Sequence, residues 1–174
     1  MIFSLFRKST APHAASEAYR SIVAQSRQER FYADWGVPDT VTGRFDMISL
    51  HLTLLLHRLR REPAGKQFTQ ALVDTFFQDM DRSHRELGVT DLGVPRKIKK
   101  LGNAFYGMAQ SLSDALETES PTQVEAVLVR NVYVGAPSAG AAPLAAYLLS
   151  EVRRLAAEPT AALVAGNLAT GVAA

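Results

Sequence analysis

The length and composition of this 174-residue chain are those of one ordinary globular domain. Its residues are 47% apolar and 21% charged, which excludes a disordered protein, and its net charge of +2 allows contact with phosphates or anionic lipid without requiring it. The absence of cysteine excludes disulfides, thiolate metal sites and cysteine nucleophiles.

The chain divides by composition into three parts. It begins with MIFSLFRK, in which apolar residues precede basic ones, the reverse of a secretory signal, so the sequence predicts no export. No run reaches the roughly 18 consecutive apolar residues of a membrane span. We interpret 1–11 as a flexible or interfacial N-terminus, which either dips into a membrane surface or frays or packs on the domain. Residues 12–158 then form a helical domain, and 159–174 an alanine-rich C-terminal segment.

The first two predicted helices are joined by a loop rich in glycine and proline. Pro12 suits a first helical turn, and apolar residues recur at helical spacing as far as Tyr32. The loop contains Trp35, which requires burial, and ends with Thr42 as the predicted N-cap of the next helix. That helix, 43–62, is apolar around most of its circumference, which is typical of a helix in the middle of a bundle.

The third and fourth predicted helices flank a second connection. Helix three covers 64–87, and Gly88 supplies the left-handed residue of its C-cap. Helix four begins at Pro95 and contains Gly102 and Gly107, each of which costs about 0.8–1 kcal/mol relative to alanine. Two such costs indicate either a close helix approach or a surface kept free of side chains for a partner.

The rest of the chain predicts helices at 121–133 and 142–157, then a short helix after Pro159 followed by fraying. No stretch alternates convincingly between apolar and polar residues, and no repeat of about 20–50 residues is present. The sequence therefore predicts an all-α fold, a compact single-domain bundle of about six or seven helices.

A metal or catalytic site near the end of helix three is the alternative to a plain charged surface. Asp81 and His84 lie on one helix face, but the chain has no Glu-x-x-His pair of the kind found in di-iron bundles. Intrahelical ion pairs such as Asp81 with Arg85 are the favoured explanation. His51 and His57 are on different faces of helix two and cannot ligate one metal ion. We predict instead that one lies on the flank of the apolar face and the other at its boundary.

Motifs for other chemistry are missing from the sequence. It contains neither a Gly-x-Ser-x-Gly elbow nor a glycine-rich phosphate loop. We therefore expect no catalytic residue, no metal and no cofactor. The alternative is a helical small-ligand or metal-dependent enzyme, with a pocket between helices two and three and a site near Asp81 and His84.

The charge changes sign across the connection between helices three and four. Acidic residues precede the turn, whereas Arg96, Lys97, Lys99 and Lys100 follow it. The helix dipole does not favour cations at a helix start, so a binding role and a solvated surface are equal alternatives. Tyr106 shares the polar face of helix four, where an aromatic side chain either anchors an interface or is covered by another helix.

These residues belong to a set of short motifs that occur in a fixed order. The run DMDRSHRELGVTDLGVPRKIKKLGNAFYG contains Asp-Met-Asp, Arg-Glu-x-Gly, Asp-Leu, Val-x-x-Lys-x-Lys-Lys and Phe-Tyr-Gly. With the upstream ALVDTFF and FYADWGVPDTVTGRFDMISLHLTLLLHRL, it resembles the ubiquinol-cytochrome c chaperone family, over about 19–134. Mitochondrial members of that family assist assembly of respiratory complex III, by receiving newly made cytochrome b near the ribosomal exit and the inner membrane.

The resemblance implies a helical chaperone domain without catalysis. Its partner would be cytochrome b or another respiratory membrane-protein client; a second chaperone subunit, the ribosome and an anionic membrane surface are further candidates, and DNA is not expected. Because the sequence shows no transit peptide, we expect a bacterial member that is cytoplasmic and peripheral at the inner membrane. The motif positions carried over as a partner-binding surface are Asp79, Asp81, Arg85, Glu86, Asp91, Lys97, Lys99 and Tyr106.

Overall fold

The structure, a computed structural model, describes residues 11–88, 93–134 and 138–168. Within these ranges the chain is all-α, with a 3-10 turn at Pro63–Gly65 and no strand. The all-α prediction is therefore confirmed, although two of the eight α-helices are only five residues long. The helices are α1 (Ala11–Ser26), α2 (Glu29–Ala33), α3 (Val41–Leu59), α4 (Lys66–Glu86), α5 (Val94–Glu117), α6 (Pro121–Asn131), α7 (Ala141–Ala157) and α8 (Thr160–Val164).

The central element is α3, as its apolar circumference predicts. It packs against α1, α5 and α7, and thirteen of its 19 residues are buried. α5 runs parallel to it, because His57 and Arg60 of α3 contact Ser113 and Glu117 of α5 in the same order along both helices. α4 packs on α1 and α5 and completes one side of the bundle. None of the helices described has both the length and the hydrophobicity needed to cross a bilayer.

The prediction of one continuous helix over 12–32 is wrong. In a continuous helix the carbonyl of Ser26 would accept from the backbone N–H of Arg30, but here it accepts from the hydroxyl of Tyr32 at 2.8 Å. The resulting turn sends Phe31 into the core, where its ring lies 5.1 Å from that of Tyr147 on α7. Tertiary packing of one aromatic side chain therefore divides the predicted helix into α1 and α2.

The start of α3 also differs from the prediction. Thr40, not Thr42, is the N-cap, and its hydroxyl accepts a hydrogen bond from the backbone N–H of Gly43 at 3.1 Å. Gly43 sits directly against the preceding loop, and a β-carbon there would lie 1.9 Å from the carbonyl oxygen of Pro38. The close approach of loop and helix therefore requires glycine. The C-cap prediction is confirmed, since Gly88 has φ of 77°.

Asp46 makes the stability of the fold depend on pH. Burial raises the pKa of its carboxyl group from 3.8 to about 7. The folded protein therefore holds this proton more tightly than the unfolded chain does, and stability falls as the pH rises from about 4 to about 7. We expect Asp46→Asn to remove this loss and to raise the free energy of unfolding at pH 8 by about 1–3 kcal/mol, less than the full shift implies because the carboxylate keeps some hydration.

Urea unfolding at pH 5 and pH 8 measures this effect. The matched control is Asp34→Asn, because Asp34 is exposed and its side chain forms no hydrogen bond or ion pair with the described residues. If Asp46→Asn and the unmodified protein were equally stable at pH 8, the carboxylate would not be desolvated as described.

Candidate docking surface

The end of α4 and the first half or so of α5 carry seven of the eight residues predicted to bind a partner, with Tyr106 near the middle of α5. The eighth, Asp91, lies outside the described residues. Within the described part of the chain, no hydrogen bond or ion pair joins the carboxylates of α4 to the cations of α5. The two groups of charges are therefore separate features of the surface, and we take them in turn.

Asp79 serves the fold as well as the surface. Its carboxylate accepts a hydrogen bond from the hydroxyl of Tyr19 on α1 at 2.9 Å and pairs with Arg82 one turn further along α4. Burial, reinforced by this carboxylate, raises the pKa of Tyr19, so the phenol stays protonated and continues to donate. Asp79 thereby fastens the end of α4 to α1.

Asp81 pairs with Arg85 on the same helix, with Nε of the arginine 2.7 Å from Oδ2 of the aspartate. This is one of the intrahelical pairs favoured by the sequence over a metal site. Among the described residues, no group of three or more His, Asp and Glu side chains is placed to hold a metal ion. His84 lines a cleft between α3 and α4, but the carboxylates that line it are those of Asp79 and Glu86, not that of Asp81.

The basic cluster, Arg96, Lys97, Lys99 and Lys100, occupies the first two turns of α5. All four side chains are exposed, and none forms a hydrogen bond or ion pair with a residue that the structure describes. The first turn of α5 contains no acidic residue, so the positive end of the helix dipole adds to these charges. Among the described residues, none forms an ion pair that neutralises the positive charge that this region presents to solvent.

Tyr106 is exposed at 59%, so no described helix covers it. Its ring is tilted against that of Phe77 of α4, with the two ring centroids 6.1 Å apart. Gly107 follows it, and a β-carbon there would meet nothing within 4 Å, whereas one on Gly102 would lie 3.8 Å from the ring of Phe77. A close helix approach therefore does not account for Gly107, whose surface is open.

The two histidines of α3 are buried, contrary to the prediction of a flank residue and a boundary residue. His57 bonds the hydroxyl of Ser113 at 2.7 Å. His51 lies 2.7 Å from the carbonyl of Met47 through Nδ1 and 2.8 Å from the hydroxyl of Tyr147 through Nε2. Burial lowers the pKa of His51 to about 4, so the ring is neutral and Nδ1 donates to the carbonyl. No sequence signal links His51 to Tyr147, because the pair forms only when α3 meets α7.

The fold and sequence are similar to those of known proteins. The crystal structure of the Cbp3 homolog from Brucella abortus has a TM-score of 0.86 and 42% identity, and the match covers 97% of this chain and 95% of that one. Ubiquinol-cytochrome-c reductase complex assembly factor 1 of Xenopus laevis is 23% identical over 94 residues, which are 53% of this chain and 47% of the relative. The corresponding factor of Mus musculus is 28% identical over 94 residues, 53% of this chain and 32% of the relative.

The chain thus spans about half the length of the frog relative and about a third of the mouse relative. The sequence profile described as "Ubiquinol-cytochrome C chaperone" matches residues 33–170, which extends the resemblance seen in the motifs toward the C-terminus. This match includes the whole of α3 to α8, and with it both groups of charges and Tyr106. On this evidence, the chain belongs to the ubiquinol-cytochrome c chaperone family.

Proposed function

We propose that this protein is a non-catalytic assembly chaperone of ubiquinol-cytochrome c reductase that holds a membrane-protein client such as newly made cytochrome b. Family membership supports the assembly role, as do the names of the curated relatives. The observation that carries a binding role for α5 is its basic cluster, which has no neutralising partner among the described residues. Exposed cations that do not stabilise the fold are available to a partner with carboxylates or phosphates.

The proposed partner-binding surface joins this cluster to the end of α4. Lys97, Lys99 and the exposed Tyr106 are its α5 side, and Tyr106 offers a rigid aromatic contact of the kind that anchors interfaces. Its α4 and connection side consists of Asp79, Asp81, Arg85, Glu86 and Asp91. The surface would act at the cytoplasmic face of the inner membrane, with the protein attached peripherally. A second chaperone subunit and the ribosome remain partners to be tested.

Reversal of charge in the basic cluster tests this proposal. We expect Lys97→Glu with Lys99→Glu to reduce recovery of cytochrome b by the tagged protein from solubilised membranes at least about tenfold. The variant should unfold within about 2 °C of the unmodified protein, because carboxylates near a helix start are favoured by the dipole. Quantitative mass spectrometry of the recovered proteins and a thermal melt measure the two quantities.

The matched control is Arg130→Glu with Arg153→Glu, which makes the same change of net charge on α6 and α7. Both arginines are exposed and form no ion pair with a described residue. Equal loss of recovery in both variants would show a general charge effect. If neither cytochrome b nor another subunit of the complex were recovered with the unmodified protein, the proposed function would be wrong.

A further inference from the structure

An apolar cleft of about 370 Å³ lies at the end of α4, and its lining includes Leu101 of α5, which follows the basic cluster directly in sequence. It opens between the first turns of α3 and α5 and the last turns of α4, with Arg27 at the end of α1 along one edge. Its apolar wall comes from three helices: Phe45, Ile48, Met80 and Leu101. The sequence offers a pocket between the helices that correspond to α3 and α4, but it gives no sign of this apolar wall, because the wall exists only where α3, α4 and α5 meet.

The apolar surface continues from the cleft onto its rim. Val41 at the start of α3 and Leu87 at the end of α4 both line it, and each is 62% exposed. They are two of the four large apolar or aromatic side chains exposed in the described chain. Exposed apolar surface that adjoins an apolar cleft is typical of a site for another macromolecule.

The polar groups of the cleft fit a peptide better than a lipid headgroup. Asp79 and Glu86 place carboxylates in the lining, which would repel a phosphate but can accept hydrogen bonds from peptide N–H groups. Ser83 adds a hydroxyl. The buried Nδ1 of His84 has no hydrogen-bond partner among the described residues.

The cations near the cleft favour a partner that carries carboxylates. Lys97 precedes Leu101 by one helical turn and lies on the same side of α5 as this lining residue. Arg27, at the other edge, is exposed and forms no ion pair with any residue described. A partner that makes apolar contacts in the cleft would therefore also lie near these cations, which attract carboxylates.

We propose that this cleft binds an apolar protein segment of the client that carries acidic residues at one end. The inference rests on the proposed chaperone function and adds the place and the chemistry of client binding. The apolar face of the segment packs on Phe45, Ile48, Met80 and Leu101. Its carboxylates lie next to Lys97.

A labelled peptide tests the cleft directly. The probe is a fluorescent helical peptide with leucines on one face and glutamates at one end, and its comparison peptide has lysines in place of the glutamates. We expect fluorescence anisotropy to show binding of the acidic peptide, with the lysine peptide at least about tenfold weaker. Val41→Asn with Leu87→Asn, which leaves the net charge unchanged, should weaken the acidic peptide at least about tenfold.

Val134→Asn is the matched control, because Val134 is 84% exposed and does not line the cleft. This variant should bind the peptide as the unmodified protein does. The Val41 and Leu87 variant should keep its unfolding midpoint within about 2 °C because the substituted side chains are exposed, whereas Val134→Asn should be slightly more stable because asparagine adopts its φ of 56° with less strain than valine. Undiminished peptide binding by the Val41 and Leu87 variant would overturn the proposal.

Two other occupants give different results. In the first, the peptide does not bind, anionic phosphatidylglycerol vesicles do bind, and the Val41 and Leu87 variant no longer binds the vesicles. The cleft would then be a membrane contact. Peptide binding that appeared only after removal of residues 1–10 would identify the chain's own N-terminus as the occupant. Either result overturns the proposal.

The membrane pulldown separates this inference from the chaperone function itself. If the unmodified protein and the Val41 and Leu87 variant recovered equal amounts of cytochrome b, the proposal that the client binds in the cleft would be wrong. The proposed chaperone function would stand. If the unmodified protein recovered no subunit of the complex, the function would fail irrespective of the peptide result.

Discussion

Replacement of His51 by alanine is expected to lower the free energy of unfolding by about 3–5 kcal/mol. The ring is only 6% exposed, and both of its nitrogens are hydrogen-bonded. Its removal leaves a cavity between α3 and α7. The hydroxyl of Tyr147 also loses the nitrogen to which it donates a hydrogen bond. Gln25 of α1 donates to the same hydroxyl at 2.9 Å, so three helices lose a shared polar contact.

Urea unfolding measures this loss of stability, and two further variants help to assign its cause. Tyr147→Phe removes only the hydroxyl and should cost about 1–3 kcal/mol, because it leaves Nε2 of His51 and the side-chain amide of Gln25 without this hydrogen-bond partner. His13→Ala changes an exposed histidine at the start of α1 and should have no measurable effect. A loss below about 1 kcal/mol for His51→Ala would mean that water replaces the ring without penalty.

The second large effect is expected from Gly43→Ala, which should destabilise the protein by about 2–4 kcal/mol. A β-carbon at this position would lie 1.9 Å from the carbonyl oxygen of Pro38. This oxygen is fixed, because it accepts the backbone N–H of Thr40 at 2.8 Å just before the first turn of α3. The clash is therefore with backbone, and α3 or the loop must move to relieve it.

Gly107→Ala is the matched control for this substitution. A β-carbon on Gly107 meets nothing within 4 Å, so alanine should stabilise α5 by about 0.5–1 kcal/mol. Thermal and urea unfolding of the two variants should therefore change in opposite directions. If Gly43→Ala were as stable as the unmodified protein, the close approach of the loop to α3 would not constrain the fold.

Elements with a strong local signal could be predicted from sequence. α3 is central because apolar residues cover most of its circumference, and α4 is followed by Gly88 because only a residue with positive φ continues the chain there without strain. The break between α1 and α2 gave no such signal, since it depends on Tyr32 and Phe31 finding tertiary contacts. The N-cap at Thr40 was missed because Thr42 is an equally good capping residue in isolation.

The candidate site divides in the same way. The basic cluster of α5 and the ion pair of Asp81 with Arg85 follow from residues close together in sequence. The cleft required Ile48, Met80 and Leu101 to be placed together by three helices, and the buried bond of His51 required Tyr147 from the far end of the chain. Tertiary neighbours of this kind leave no periodicity in the sequence.

The bond between Asp79 and Tyr19 has a consequence for the evolutionary record of this surface. Asp79 fastens α1 to α4, so selection for a stable fold would retain it even in a lineage that had lost its client. Lys97 and Lys99 form no ion pair with a described residue. Selection for binding to an external partner would therefore be what retains lysine at these two positions. Relatives that still assemble the complex should therefore retain both lysines, whereas relatives without it should retain Asp79 and Tyr19 alone.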